Sequence, residues 1–126
     1  MKNILESMII TFSMYSKIPM PNIDWKKENM KYAMCFFPLV GLVIGIIMAA
    51  WMYLAKFLAI GSILFAGIAT IIPVIITGGI HIDGFCDTVD ARSSHQSREK
   101  KLEILKDPHI GAFALIYCVV YFIAVF

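Results

Sequence analysis

In the stretch Gly78-Gly79-Ile80-His81-Ile82-Asp83-Gly84-Phe85-Cys86-Asp87-Thr88-Val89-Asp90, three aspartates and a histidine follow directly on an uncharged run from Phe57 to Ile80. Charge beside such a run is costly, because a carboxylate at membrane depth is kept only where it faces a polar cavity, a partner or a metal. Read as a helix, Asp83, Asp87 and Asp90 fall at i, i+4 and i+7, on one face. Three anions on one stripe repel one another and call for a cation. An all-oxygen donor set favours a hard ion such as Mg2+ over zinc. The competing reading of the same acids is a solvated loop at the membrane edge.

The elements that must position this stripe are read from composition first. The chain has 126 residues, of which 60% are hydrophobic and only 16% charged, and its mean hydropathy is +0.78. An ordinary soluble domain carries about 25% charged residues, so this is read as an all-α integral membrane protein. The net charge is +2, and no basic tract is interleaved with aromatics, so no nucleic acid is expected as a partner. Cys35, Cys86 and Cys118 are widely spaced and odd in number, which indicates neither a disulfide framework nor a thiolate metal site and fits a reducing compartment. Cys86 reads as a small apolar filler. No signal peptide is expected at the N-terminus.

In chain order, residues 3–15 place Ile4, Met8, Phe12 and Tyr15 at helical spacing, with Lys2, Glu6 and Ser7 among the polar positions. That is too short to cross about 30 Å of hydrocarbon, so an interfacial or reentrant helix is expected, or a surface helix packed on the others. Lys17-Ile18-Pro19-Met20-Pro21 breaks it, and a polar linker with Asp24, Trp25, Lys26, Lys27 and Glu28 follows. Tyr32 to Ala55 is uncharged and long enough for a first spanning helix, with Pro38 near its start and Gly41 and Gly45 as a small-residue packing pair. Lys56 interrupts. Phe57 to Ile80 reads as a second span, with Gly61 making the tight turn of a helical hairpin and Pro73 producing a kink.

Ten of the eleven basic residues lie on one side of this hairpin, leaving Lys56 alone between the spans. The positive-inside tendency then puts the acidic stripe toward the cytosol. Ser97 is expected to cap a short helix from Arg98 to Lys106 with Leu102 and Leu105 turned inward, ended by Pro108. Gly111 to Phe126 is apolar but short of a full span. The expectation is a polytopic helical bundle, one membrane domain over 1–126, cut off inside a third transmembrane helix.

Gly78-Gly79-Ile80-His81-Ile82-Asp83-Gly84-Phe85-Cys86-Asp87-Thr88-Val89-Asp90, then Arg98-Glu99-Lys100-Lys101-Leu102-Glu103-Ile104-Leu105-Lys106-Asp107 and Ile110-Gly111-Ala112-Phe113, resemble the signature of the cobalamin synthase (adenosylcobinamide-GDP ribazoletransferase) family. Ile18-Pro19-Met20-Pro21 and Phe37-Pro38-Leu39-Val40-Gly41 resemble its N-terminal motifs in the same order, so the likeness covers nearly the whole chain. Two departures are Ala91, where many members carry glycine, and His109, where many carry arginine.

The resemblance implies a transferase in the cytoplasmic (inner) membrane, multi-pass, with its active-site loop facing the cytosol. Its substrates are adenosylcobinamide-GDP and α-ribazole or α-ribazole 5′-phosphate, and GMP leaves. Such a phosphoryl-type transfer needs positioning and charge neutralisation, which carboxylate-held Mg2+ supplies. Asp83, Asp87 and Asp90 are the expected metal ligands, with Asp107 a fourth carboxylate. Arg98 and Lys106 are expected to hold phosphate, and His81 to orient a carboxylate or accept the nucleophile's proton. No organic cofactor is expected, oligomerisation is left open, and the fragment by itself is expected to be inactive. Two rival readings are a CDP-alcohol phosphotransferase, whose spacing of acids does not match, and a cation or proton transporter, which should show paired broken helices in two halves.

Overall fold

The computed structural model describes residues 2–126. Met1 and the side chains of Lys2, Asn3, Lys27 and Glu28 lie outside the described residues, and with them the parts of the charge pattern that rest on Lys2, Lys27 and Glu28. Among the described residues every regular element is helical. The chain divides into two compact units, Met1–Gly78 and Gly79–Phe126.

The first unit holds α1 (Lys2–Tyr15), α2 (Lys27–Met30), a 3-10 turn (Ala33–Phe36) that runs into α3 (Phe37–Phe57), and α4 (Ser62–Thr77). The 3-10 turn and α3 together, Ala33–Phe57, make 25 residues, long and apolar enough to cross a membrane. Pro38 stands in the first turn, where its missing N–H leaves no bond unmade. Lys56 does not interrupt this helix but lies in its last turn, where a cation complements the exposed carbonyls.

The second apolar run forms its helix over narrower bounds than Phe57 to Ile80. Phe57 still belongs to α3, the left-handed residue of the following turn is Ala59 (φ 52°), and Ile60 closes it by donating to the Ala55 carbonyl at 2.9 Å. Gly61 is extended (φ −64°, ψ 151°) and only precedes α4, so the turn does not use its freedom. Helix α4 has 16 residues, roughly 24 Å at 1.5 Å per residue, short of a full hydrocarbon core. It continues through Pro73 and stops where Gly78 and Gly79 are both left-handed (φ 66° and 77°). The Lys17 N–H donates to the Ile76 carbonyl at 2.7 Å, and the Lys17 side chain covers Gly78 so closely that a Cβ there would collide with it.

The expected hairpin of α3 and α4 is present. Trp51 Nε1 donates to the Phe65 carbonyl at 3.2 Å, and the two rings stack 6.2 Å apart. Gly41 and Gly45 are different: nothing among the described residues comes within 4 Å of a Cβ built at either.

Helix α1 buries another face than its apolar spacing suggests. Ile4 is 58% exposed, whereas Ser7, Ile10 and Thr11 are fully buried with Phe12 close behind. The reason is hydrogen bonding. Ser7 Oγ donates to the Asn29 carbonyl at 2.6 Å, and Thr11 Oγ1 lies 2.6 Å from the Ala33 carbonyl and 2.9 Å from that of Ser7. Asn29 Nδ2 in turn donates to Glu6 Oε2. Small hydroxyls allow α1 to sit close against α2 and the 3-10 turn while finding carbonyl acceptors for their own buried donors.

The second unit holds α5 (Ile80–Ser93), α6 (Arg98–Ile104) and α7 (Ala112–Val125). Ser97 caps α6 as expected, its hydroxyl accepting from the Lys100 N–H. Leu102 and Leu105 do not turn inward; they are 50% and 41% exposed. Lys101 and Ile104 are the half-buried positions of α6 instead.

Thr11→Val keeps the shape and removes the hydroxyl that bonds to the buried Ala33 carbonyl. It is expected to cost about 1–3 kcal/mol. Thr70→Val, whose hydroxyl bonds only within its own helix at 2.9 Å, should cost much less, as checked by thermal unfolding in detergent.

Candidate functional site

Asp83, Asp87 and Asp90 all lie on α5, on one face as their spacing predicts. Asp83 is exposed in the first turn; Asp87 and Asp90 are half-buried. The Thr88 hydroxyl bonds back to the Gly84 carbonyl at 2.7 Å, which keeps it within its own helix.

The three carboxylates do not share one task. Asp90 Oδ2 accepts from the Gly111 N–H at 2.6 Å, and Oδ1 accepts from the Ala114 N–H at 2.8 Å. Gly111 is the N-cap of α7 and Ala114 its third residue, so these are the two donors that a local Ser–Glu capping box would satisfy. Gly111 has no side chain to do this, and one carboxylate from 21 residues upstream does both. Its charge also sits at the positive end of the α7 dipole. Gly111 has an ordinary backbone (φ −86°), so glycine is required here for space: a Cβ would meet both Asp90 oxygens at 2.6 Å.

Asp107 is likewise engaged locally. Its Oδ1 accepts from the His109 N–H at 3.0 Å and lies 2.6 Å from His109 Nδ1, closing a turn over Pro108. The His109 backbone N–H, then its ring, hold the Asp107 carboxyl below the usual carboxylate range. This is the structural role that competes with ligation.

The structure therefore does not assemble the four expected carboxylates. Among the described residues no group of three or more His, Cys, Asp or Glu side chains is placed to hold a metal ion. Asp83 and Asp87 remain, one turn apart. Two carboxylates fall short of an all-protein cage, but they match the habit of Mg2+, which takes one or two carboxylates and completes its shell with water and substrate phosphates. His81 precedes Asp83 by two residues, roughly 200° around the helix, so it does not share the stripe's face. Arg98 and Lys106 are exposed, and among the described residues neither is in a salt bridge.

On the other side of α5, Phe85, Thr88, Val89, Arg92 and Ser93 line an open cleft of about 420 Å³ with Tyr117 of α7. Arg92 and the Asp90–Gly111 contact escape a sequence reading. The signal for the latter, a glycine directly before an apolar helix that lacks its own cap, is visible but does not identify the partner.

The family model described as cobalamin-5-phosphate synthase matches residues 7–126. Among curated proteins, the adenosylcobinamide-GDP ribazoletransferase of Lachnoclostridium phytofermentans is 54% identical over 97% of this chain and 47% of its own length. That of Clostridium botulinum strain Eklund 17B is 38% identical over 97% and 48%, and that of Shewanella amazonensis 36% identical over 89% and 43%. The chain thus spans about half the length of the curated relatives it matches. No solved structure matches.

The Asp90 carboxylate can make room for a Cβ at position 111 only by giving up both N–H bonds. Gly111→Ala is therefore expected to destabilise the protein by about 1–3 kcal/mol. Gly84→Ala, on α5 with nothing within 4 Å, should be neutral or slightly stabilising in the same melts. Equal effects of the two would refute the capping role.

Proposed function

The chain belongs to the cobalamin-5-phosphate synthase family, and on that footing we propose that the whole protein joins α-ribazole, or α-ribazole 5′-phosphate, to adenosylcobinamide-GDP. The observation that carries this reading is the family match over residues 7–126, which includes the acidic helix α5. The 5′-hydroxyl oxygen of α-ribazole attacks the phosphorus that bears the cobinamide. A new P–O bond forms, the bond to the GMP oxygen breaks, and the hydroxyl proton is lost.

Asp83 and Asp87 are the proposed ligands of Mg2+, which when bound neutralises pyrophosphate charge. Asp83 is exposed and Asp87 half-buried, so a soluble substrate can reach the one while the other is partly shielded from water. Arg98 and Lys106, in no salt bridge among the described residues, are proposed to hold phosphate oxygens. Asp90 is left to hold α7 in place, Asp107 its turn, and His81 is left out of the machinery. The two units are proposed to work as one polytopic membrane domain in the cytoplasmic membrane, completed by the rest of the full-length protein.

Asp83→Asn and Asp87→Asn keep size and remove charge, so each should reduce GMP release by full-length protein in lipid by at least about tenfold, the loss of roughly 1.4 kcal/mol of transition-state stabilisation. GMP should appear only when α-ribazole or its phosphate is present and should stop on chelation. Release at the same rate without α-ribazole would make the protein a hydrolase.

The orientation rests on the basic residues at both ends of the apolar hairpin and on Lys56 at the far end of α3. Single cysteines at 56 and 98, in a cysteine-free background, should label from opposite faces of sealed vesicles. Labelling of both from one face sinks the topology.

A further inference from the structure

Cys86 reads in the sequence as a small apolar filler and Cys118 as one of three widely spaced cysteines, yet the packing of α5 on α7 brings the two together. Asp90 of α5 meets Ala114 of α7, and Phe85 of α5 meets Tyr121 of α7 with ring centroids 6.0 Å apart. The lower-numbered end of α5 thus meets the higher-numbered end of α7, so the two helices are antiparallel. Cys86 lies four residues before Asp90, and Cys118 lies four residues after Ala114. Each step is about one helical turn, so the two cysteines stand opposite one another between the two contacts.

The side chains agree with this register. Cys118 is near enough to Cys86 to perturb its thiol, as the register set by Asp90–Ala114 and Phe85–Tyr121 requires. Cys86 is 7% exposed, Cys118 is half-buried, and both are free thiols. Ala114, 0% exposed and one turn before Cys118 on α7, keeps the neighbouring position small. A disulfide needs α-carbons about 4.4–6.8 Å apart, which asks for a close approach of the two helices.

We propose that Cys86 and Cys118 form a dithiol site that oxidises to a disulfide joining α5 to α7, with a low-molecular-weight disulfide as the oxidant. Cys118, the more accessible thiol, attacks one sulfur of the oxidant as its thiolate. The oxidant's S–S bond breaks, one small thiol leaves, and a mixed disulfide remains on Cys118. Cys86 then attacks the Cys118 sulfur and expels the second small thiol. The two protein thiols are oxidised by two electrons, and the oxidant is reduced to two thiols. The product ties the helix that carries Asp83 and Asp87 to α7. Cys35, exposed and in the other unit, takes no part.

The test treats native protein in lipid with oxidised glutathione and alkylates the remaining thiols with N-ethylmaleimide. Peptides are then mapped by mass spectrometry without reduction. The expected result is a Cys86–Cys118 peptide pair lighter by two hydrogens than the reduced peptides combined, formed in wild-type protein and reversed by dithiothreitol. In Cys86→Ser, Cys118 should accumulate as the glutathione mixed disulfide; in Cys118→Ser, Cys86 should stay reduced. The proposal is overturned if both cysteines are recovered alkylated after oxidation, if Cys35 pairs with either as readily, or if the pair forms only after unfolding in SDS. The wild-type map decides the matter even where a variant fails to fold, and it does not depend on turnover.

Discussion

A helix that starts among apolar residues has four N–H groups without partners in its first turn, and leaving them unpaired away from water is costly. The second unit is organised around one answer to that constraint. Asp90 gives one carboxylate oxygen to each of two α7 donors, and Gly111 is the residue small enough to let it approach. Two charge-assisted bonds and the helix dipole act at the same point, so the register of α7 on α5 follows from it. The Phe85–Tyr121 ring contact lies along that register, which also sets Cys86 opposite Cys118. An aspartate in an acidic stripe can therefore be structural while its neighbours on the same face stay free for chemistry.

The first unit meets the same constraint with neutral groups. Ser7 and Thr11 are fully buried, and their hydroxyls are satisfied by carbonyls of Asn29, Ala33 and Ser7 itself. A purely apolar face on α1 would have made none of these bonds to α2 and the 3-10 turn. The buried polar groups of the two units thus do similar work, fixing which faces of neighbouring helices meet, one through hydroxyls and the other through a carboxylate.

Much of the candidate site was legible before the fold. The one-face arrangement of Asp83, Asp87 and Asp90 follows from helical periodicity, and the Ser97 cap follows from residue type and position. The division of labour among the acids was not legible. Asp90 and Asp83 look alike in the sequence, and only the arrival of Gly111 and Ala114 beside Asp90 distinguishes them. Asp107 reads equally as ligand or turn former until its bonds to His109 are seen.

Local physics was determined by the sequence alone: an all-helical chain, a first apolar span read as Tyr32 to Ala55 and found at Ala33–Phe57, a hairpin after it, and an acidic helix behind two glycines. Periodicity, propensity and the cost of charge beside lipid act between near neighbours, and those neighbours can be read off the chain. Tertiary structure alone decided that Ala59 and not Gly61 takes the left-handed turn, that α1 buries Ser7 and Thr11, and that Asp90 caps α7 across 21 residues. Those outcomes depend on which distant backbone groups end up buried and in need of partners. That is a property of packed helices, and no window along the chain contains it.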